Sequence, residues 1–135
     1  MTEKELLSLA KEARDKSYCP YSSVAVGAAL LAKSGKVYLG ANIENAAYTP
    51  TVCAERVAFF KAINDGERAF LAIAVVGGRK KSDTAPLFFP CGVCRQVMAE
   101  FCTGDFRILL ENGGAQVKEY TLDSLLPTRF DGSKL

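Results

Sequence analysis

Five cysteines (Cys19, Cys53, Cys91, Cys94 and Cys102) and no histidine bound the chemistry open to this chain. Without imidazole there is no Ser-His or Cys-His nucleophile pair and no histidine metal ligand, so a transition-metal site must be built from sulfur and carboxylate. Two short stretches hold the candidates. "TVCAERVA" (51–58) sets Cys53, Glu55 and Arg56 within four positions, and "FPCGVCRQVM" (89–98) sets Cys91 and Cys94 three apart, directly after Pro90. A lone Cys-x-x-Cys is a weak signal. Joined to a Cys-x-Glu upstream, it becomes three thiols and a carboxylate at the starts of two helices, where the N-terminal dipole favours thiolates. At i and i+3 of a first helical turn, Cys91 and Cys94 lie on one face about 5–6 Å apart. Three thiolates with no fourth protein ligand are the donor set of a zinc ion that keeps one position for water. Glu55, two residues from a ligand, can face that position without occupying it.

The elements that must position these groups follow from periodicity. Thr2 and Glu5 match a capping box, and Leu6, Leu7, Ala10 and Ala13 recur at helical spacing, predicting a helix over 3–16. "VAVGAALLA" (24–32), the Ser34-Gly35 turn and "KVYLGAN" (36–42) predict a β-hairpin. Residues 53–64 read as a helix burying Ala54, Val57, Ala58 and Ile63, stopped by Asp65-Gly66. "AFLAIAVVG" (69–77) is apolar on both faces, as a central strand covered on each side requires. A polar loop then runs from Gly78 to about Pro86. A helix over 91–102 uses Val97, Met98 and Phe101 as its core face. "FRILLE" and "QVKEYT" flank Asn112-Gly113-Gly114 as a second hairpin. A short helix capped by Thr121 ends at Pro127. No repeat or linker interrupts the chain, so residues 1–135 read as one domain, an α/β fold with a mixed sheet between helices.

The totals exclude several classes. At 135 residues the chain is long enough for one real core. A net charge of +2 gives no footprint for nucleic acid or an anionic membrane, and Arg79-Lys80-Lys81 reads as a solvated patch. The N-terminal stretch is too polar for a secretory signal, and no apolar run approaches a membrane span, which predicts a cytoplasmic protein with reduced thiols. An odd cysteine count there points to metal or catalytic use rather than a disulfide framework. The 49% hydrophobic content leaves apolar residues to spare, a hint of an oligomer interface.

"CPYSS-VAVGAALL", "GANIENAAY", "CAER", "PCGVCRQ" and "LLP" together resemble the small homotetrameric zinc-dependent cytidine deaminases, and the resemblance covers nearly the whole chain. It implies a three-layer α/β/α sandwich with a mixed five-stranded sheet. It also implies one Zn²⁺ per chain held by Cys53, Cys91 and Cys94, with Glu55 shuttling protons while an activated water displaces the amino group of cytosine. Three thiolates leave zinc electron-rich, and the resemblance assigns Arg56 and Gln96 as donors to the sulfurs that offset this charge. Asn42 and Glu44 would hold ribose hydroxyls, and the backbone near Ala54 would read the base. Tyr48 matches a subunit-interface position, and Phe130 an aromatic that reaches a neighbouring subunit's pocket. Cytidine and 2′-deoxycytidine, as free nucleosides in pyrimidine salvage, are the implied substrates.

Val24 stands where members of that family usually carry an aromatic, which keeps open a modified cytosine nucleoside, such as a nucleoside antibiotic, as substrate. Taken singly, Cys53 could be a small buried hydrophobe, Glu55 a first-turn acid, Asn42 a strand end, and Glu44 a solvated charge. Cys19 and Cys102 read as packing residues. A structural site of four cysteines would need a second clustered pair, which the spacing does not offer. A nucleic-acid editing deaminase finds little support in so short and weakly charged a chain.

Overall fold

Leu6, Leu7, Ala10 and Ala13 are all buried by one helix, α1 (Glu3–Arg14), in the computed structural model, which describes residues 1–114 and 116–135. The Thr2 side chain accepts from the Glu5 N–H and the Glu5 carboxylate accepts from the Thr2 N–H, completing the expected capping box. The helix ends two residues before its predicted limit. There the Arg14 guanidinium donates to the carbonyls of Ala25, Ser82 and Arg79, tying the helix end to the sheet.

Five strands, β1 (Val24–Ala32), β2 (Val37–Ala41), β3 (Phe70–Arg79), β4 (Arg107–Glu111) and β5 (Val117–Thr121), form one mixed sheet ordered β2-β1-β3-β4-β5. Among these five strands, β3 and β4 are the pair that runs parallel. Strand alternation splits β3 between two cores. Ala72, Ala74 and Val76 meet Leu6, Leu7 and Ala10 of α1, while Ile73 and Val75 face α2 (Ala54–Asn64) and α3 (Gly92–Phe101) with Phe59 and Met98. The doubly covered central strand and the three-layer sandwich are therefore both present. A short α4 (Leu122–Leu125) follows β5, with Thr121 as its cap. The predicted second hairpin forms, with Glu111 opposite Val117 and the Asn112 N–H donating to the Gln116 carbonyl.

Two helix faces differ from expectation. Helix α2 buries Ala54, Glu55, Ala58, Phe59 and Ala62, leaving Val57 and Ile63 half-buried. Helix α3 buries Cys94, Met98 and Ala99, with Val97 and Phe101 at its margin. In each case the buried stripe includes a chemically reactive residue, which masks the apolar periodicity.

Topology explains how the reactive residues meet. Strand β1 runs antiparallel to both β2 and β3, so those two run in the same direction and finish at one edge of the sheet. Helix α2 follows β2 and helix α3 follows β3, and both therefore start at that edge. Gly40 brings α2 down onto β2: a Cβ there would lie 2.3 Å from the Ala54 carbonyl oxygen.

Candidate active site

Cys53 is the N-cap of α2 and Cys91 the N-cap of α3; Cys94 lies in the first turn of α3. Cys91 thus stands one position outside the helix rather than within its first turn as predicted, because the chain is still extended there (φ −69°, ψ 167°). The three Sγ atoms lie within 4.8 Å of one another, and those of Cys53 and Cys91 are 3.7 Å apart. Tetrahedral zinc with bonds of about 2.3 Å needs sulfurs about 3.8 Å apart, so the donor set fits that ion. Cys94 is buried, Cys53 half-buried and Cys91 exposed. Both caps leave the first-turn N–H groups without a side-chain hydrogen bond, so each helix start presents its partial positive charge to the sulfurs.

Proton affinities divide accordingly. The Cys94 thiol donates toward Cys53, and Arg56 and Cys91 add to this against the cost of burial, holding Cys53 down to about 5. Cys94 is pushed up in turn, first by that shared hydrogen bond and then by burial. Arg56 Nη2 donates to Cys53 Sγ at 3.4 Å. Burial opposes the Arg56 charge, but the sulfurs of Cys53 and Cys94 outweigh it and raise its pKa. Glu55 is only 4% exposed, and burial, reinforced by Cys53, pushes its carboxyl up to about 7. A carboxyl near neutrality beside three sulfurs can both accept and return a proton.

The remaining predicted residues fall into two groups. Asn42 is buried and heavily engaged: Oδ1 accepts from Ser17 Oγ (2.6 Å) and the Val26 N–H (2.8 Å), and Nδ2 donates to the Val24 carbonyl (2.8 Å). It therefore fixes the N-terminal end of β1. Glu44 accepts from the N–H groups of Tyr21 and Ser22 and from the Ser22 hydroxyl, which lowers its pKa. Glu44, Tyr48, Tyr21, Ser22, Asn45 and Thr51 line a cavity of about 310 Å³. Ala54 is fully buried at the first position of α2, leaving only its backbone for recognition. Phe130 is 59% and Tyr48 73% exposed.

Gln96 was expected to donate to a sulfur; its Nε2 instead donates to the Phe130 carbonyl (2.9 Å). Two residues beyond Cys94, it points roughly 200° around the helix from that ligand. Ser17, Ser22 and Asn45 escaped sequence reasoning, since small polar residues in turns carry no spacing signal. Arg95 escaped it as well. Its guanidinium donates to the carbonyls of Pro90 (2.8 Å), just before α3, and Leu125 (2.7 Å), at the end of α4. Cys19 is buried and Cys102 half-buried, and burial pushes the Cys102 thiol up to about 12. Among the described residues, the three-sulfur cluster is the one group of acidic or sulfur side chains placed to hold a metal.

Comparison with known proteins gives a consistent picture. A family profile described as "Cytidine and deoxycytidylate deaminase zinc-binding region" matches residues 1–110. A cytidine deaminase of Sporosarcina psychrophila is 49% identical over 135 residues, covering 100% of this chain and 96% of its own. A blasticidin-S deaminase of Bacillus cereus is 31% identical over 78% of this chain and 76% of its own. The crystal structure of a cytidine deaminase from Burkholderia pseudomallei superposes with a TM-score of 0.86 at 45% identity, covering 96% of this chain and 100% of that one.

Proposed function

Since the chain belongs to the cytidine and deoxycytidylate deaminase family, we propose that it hydrolyses cytidine and 2′-deoxycytidine to uridine and 2′-deoxyuridine, releasing ammonia, in pyrimidine salvage. The observation that carries this reading is the convergence of the Cys53, Cys91 and Cys94 sulfurs beside the buried Glu55. The full-length likeness to a cytidine deaminase, against the shorter and weaker likeness to a blasticidin-S deaminase, favours an ordinary nucleoside over a modified one.

One zinc ion per chain, held by Cys53, Cys91 and Cys94, would supply a Lewis acid that lowers the pKa of water toward neutrality. Glu55 takes a proton from the attacking water and delivers it to the ring nitrogen beside the amino-bearing carbon. After the carbon–oxygen bond forms, the same carboxylate takes the remaining proton from the new hydroxyl and passes it to the amino group; the carbon–nitrogen bond breaks, the carbon becomes a carbonyl, and ammonia leaves. Arg56 offsets the negative charge that three thiolates leave on the metal. Glu44 and Asn42 hold the ribose, Glu44 from the rim of the cavity and Asn42 with whatever capacity its contacts to β1 leave free. The Ala54 backbone reads the base.

The chain acts as one domain in a cytoplasmic homotetramer, with Phe130 and Tyr48 completing neighbouring sites. Support for that assembly comes from large exposed apolar side chains, with Val93 57% and Phe60 45% exposed in addition to Tyr48 and Phe130. No helix among the described residues is long and apolar enough to cross a membrane. The reading is tested by ammonia release from cytidine, deoxycytidine, cytosine and deoxycytidine monophosphate. Release is expected from the two nucleosides, to be lost on metal chelation and restored by zinc. Turnover of cytosine or the monophosphate alone would overturn the nucleoside assignment.

A further inference from the structure

The three sulfurs are not held equally. Cys94 is buried inside α3. Cys53 directly follows Val52, which is bridged to Ile43, and its sulfur receives Arg56. Cys91 is the exposed member, at the end of the long connection from Arg79. Its neighbouring carbonyls, however, converge on one residue. The Arg95 backbone N–H donates to the Cys91 carbonyl (3.0 Å), and the Arg95 Nε donates to the Pro90 carbonyl (2.8 Å). The same guanidinium reaches the Leu125 carbonyl at the end of α4 through Nη1 (2.7 Å), and its carbon lies 6.0 Å from the centre of the Phe89 ring. Pro90 is buried, so its carbonyl needs a protein partner, and Arg95 is that partner.

We propose that Arg95 is the positioning residue for the Cys91 ligand. By holding the Pro90 carbonyl through Nε and bracing itself on α4 through Nη1, its side chain fixes the Pro90–Cys91 peptide plane that aims the exposed sulfur at the other two. Such a constellation must be kept within about 0.5 Å of its productive geometry, and the Cys91 side of the site has no other side-chain brace among the described residues. A fork is required: Nε and Nη1 point to different carbonyls, and a lysine offers only a point charge. The assignment rests on reading Cys91 as a zinc ligand.

The test compares zinc-loaded parent, R95K, R95Q and R129A. Arg129 belongs to the same C-terminal segment and pairs with Asp123 at 2.6 Å without touching Pro90, so R129A reports the general cost of loosening that segment. Zinc transfer to a competing chelator is expected to run about 10-fold faster or more in R95K and R95Q and at the parent rate in R129A, whatever its melting temperature. For cytidine, kcat should fall while KM holds, because Arg95 meets the ligand loop and not the nucleoside. Cobalt-loaded R95K should show shifted ligand-field bands. Parent-like zinc release in R95K, or equal acceleration in R129A, would overturn the proposal, and R95K decides the matter even if R95Q fails to fold. A parent that holds zinc but leaves cytidine untouched would fail the functional reading alone, since zinc release needs no substrate.

Discussion

Helices α1 and α2 begin with the same ingredients, a cap residue and an acid within the first turn, and put them to opposite uses. In α1, the Thr2 hydroxyl and the Glu5 carboxylate satisfy each other's backbone N–H groups, and the hydrogen bond from the Thr2 N–H leads in holding Glu5 below the usual carboxylate range. In α2, Cys53 makes no side-chain cap, and Glu55 lies buried with its carboxyl pushed up to about 7. The first arrangement spends its polar groups on stability. The second leaves the helix start unsatisfied, so that sulfur and carboxyl stay free for a metal and a proton. Helix α3 repeats the missing cap with Cys91, though no acid stands in its first turn. The comparison teaches that a helix terminus lacking its expected cap, with its acid withdrawn from water, marks chemistry more reliably than either residue does alone.

The sharpest way to break the comparison is to turn α2 into a copy of α1. Cys53→Ser supplies a good N-cap in place of a ligand. Zinc retention and cytidine turnover should fall well beyond the roughly 100-fold that losing an outer partner of a ligand costs. The metal-free protein should meanwhile gain up to about 1 kcal/mol of stability from the cap. Metal analysis paired with urea unfolding of the stripped protein reads both, and zinc retained at parental stoichiometry would remove Cys53 from the site.

Glu55→Gln comes next. Turnover should fall about 10²–10⁴-fold, the range of a positioned acid–base group, with zinc content unchanged. The variant also separates the two helix starts by pH. A carboxyl raised from 4.5 to about 7 binds its proton more tightly in the folded than in the unfolded chain. Stability of the metal-free parent is therefore lost as pH rises from about 4.5 to about 7. Metal-free Glu55→Gln should escape that loss, standing above the parent by on the order of 3 kcal/mol above pH 7 and converging with it in acid. Parallel stability curves across this range would show that Glu55 is not the buried acid described here.

That inversion also shows where the sequence could and could not be read. The thiol pattern, the capping box of α1 and the doubly buried β3 were legible because each depends on local spacing or composition. The face of α2 was not: Val57 and Ile63 fitted an apolar stripe, whereas the helix turns Glu55 inward on the same side as Ala58, Phe59 and Ala62. The resemblance assigned Gln96 as a donor to a sulfur, and its bond to the Phe130 carbonyl, 34 residues away in the chain, is one that no local spacing reveals. Asn42 carried a motif but hid its second role, because its contacts to Ser17, Val24 and Val26 cross 16 to 25 residues of chain. The role of Arg95 was hidden for the same reason, because its bridge to Leu125 spans 30 residues.

Arg56→Ala weakens the site without removing a ligand. Loss of the Nη2 donor to Cys53 should cost about 10–100-fold in zinc affinity or kcat, leaving the fold intact. The Cys53 thiol, no longer facing that cation, should titrate upward, which the pH dependence of thiol alkylation in the metal-free protein will follow. An unchanged kcat/KM together with an unchanged alkylation profile would exclude Arg56 from both roles.

Thr2→Ala gives the smallest effect and acts as the control on the other side of the comparison. Removing the hydroxyl uncaps α1, at a cost of about 1 kcal/mol, with kcat and zinc content unchanged because α1 packs on the sheet face opposite α2 and α3. Since Glu5 is held below its ordinary value, its part of the box is fully present above the ordinary carboxylate range and is lost as pH falls through the lowered pKa. The melting-temperature gap between parent and a Glu5→Ala variant, which removes the acceptor of the residue-2 N–H, should therefore narrow in acid, the opposite direction to the pH dependence that Glu55 confers. A gap that instead widened as pH fell would mean that the carboxylate gives the box nothing, and the contrast between the two helix starts would lose its electrostatic basis.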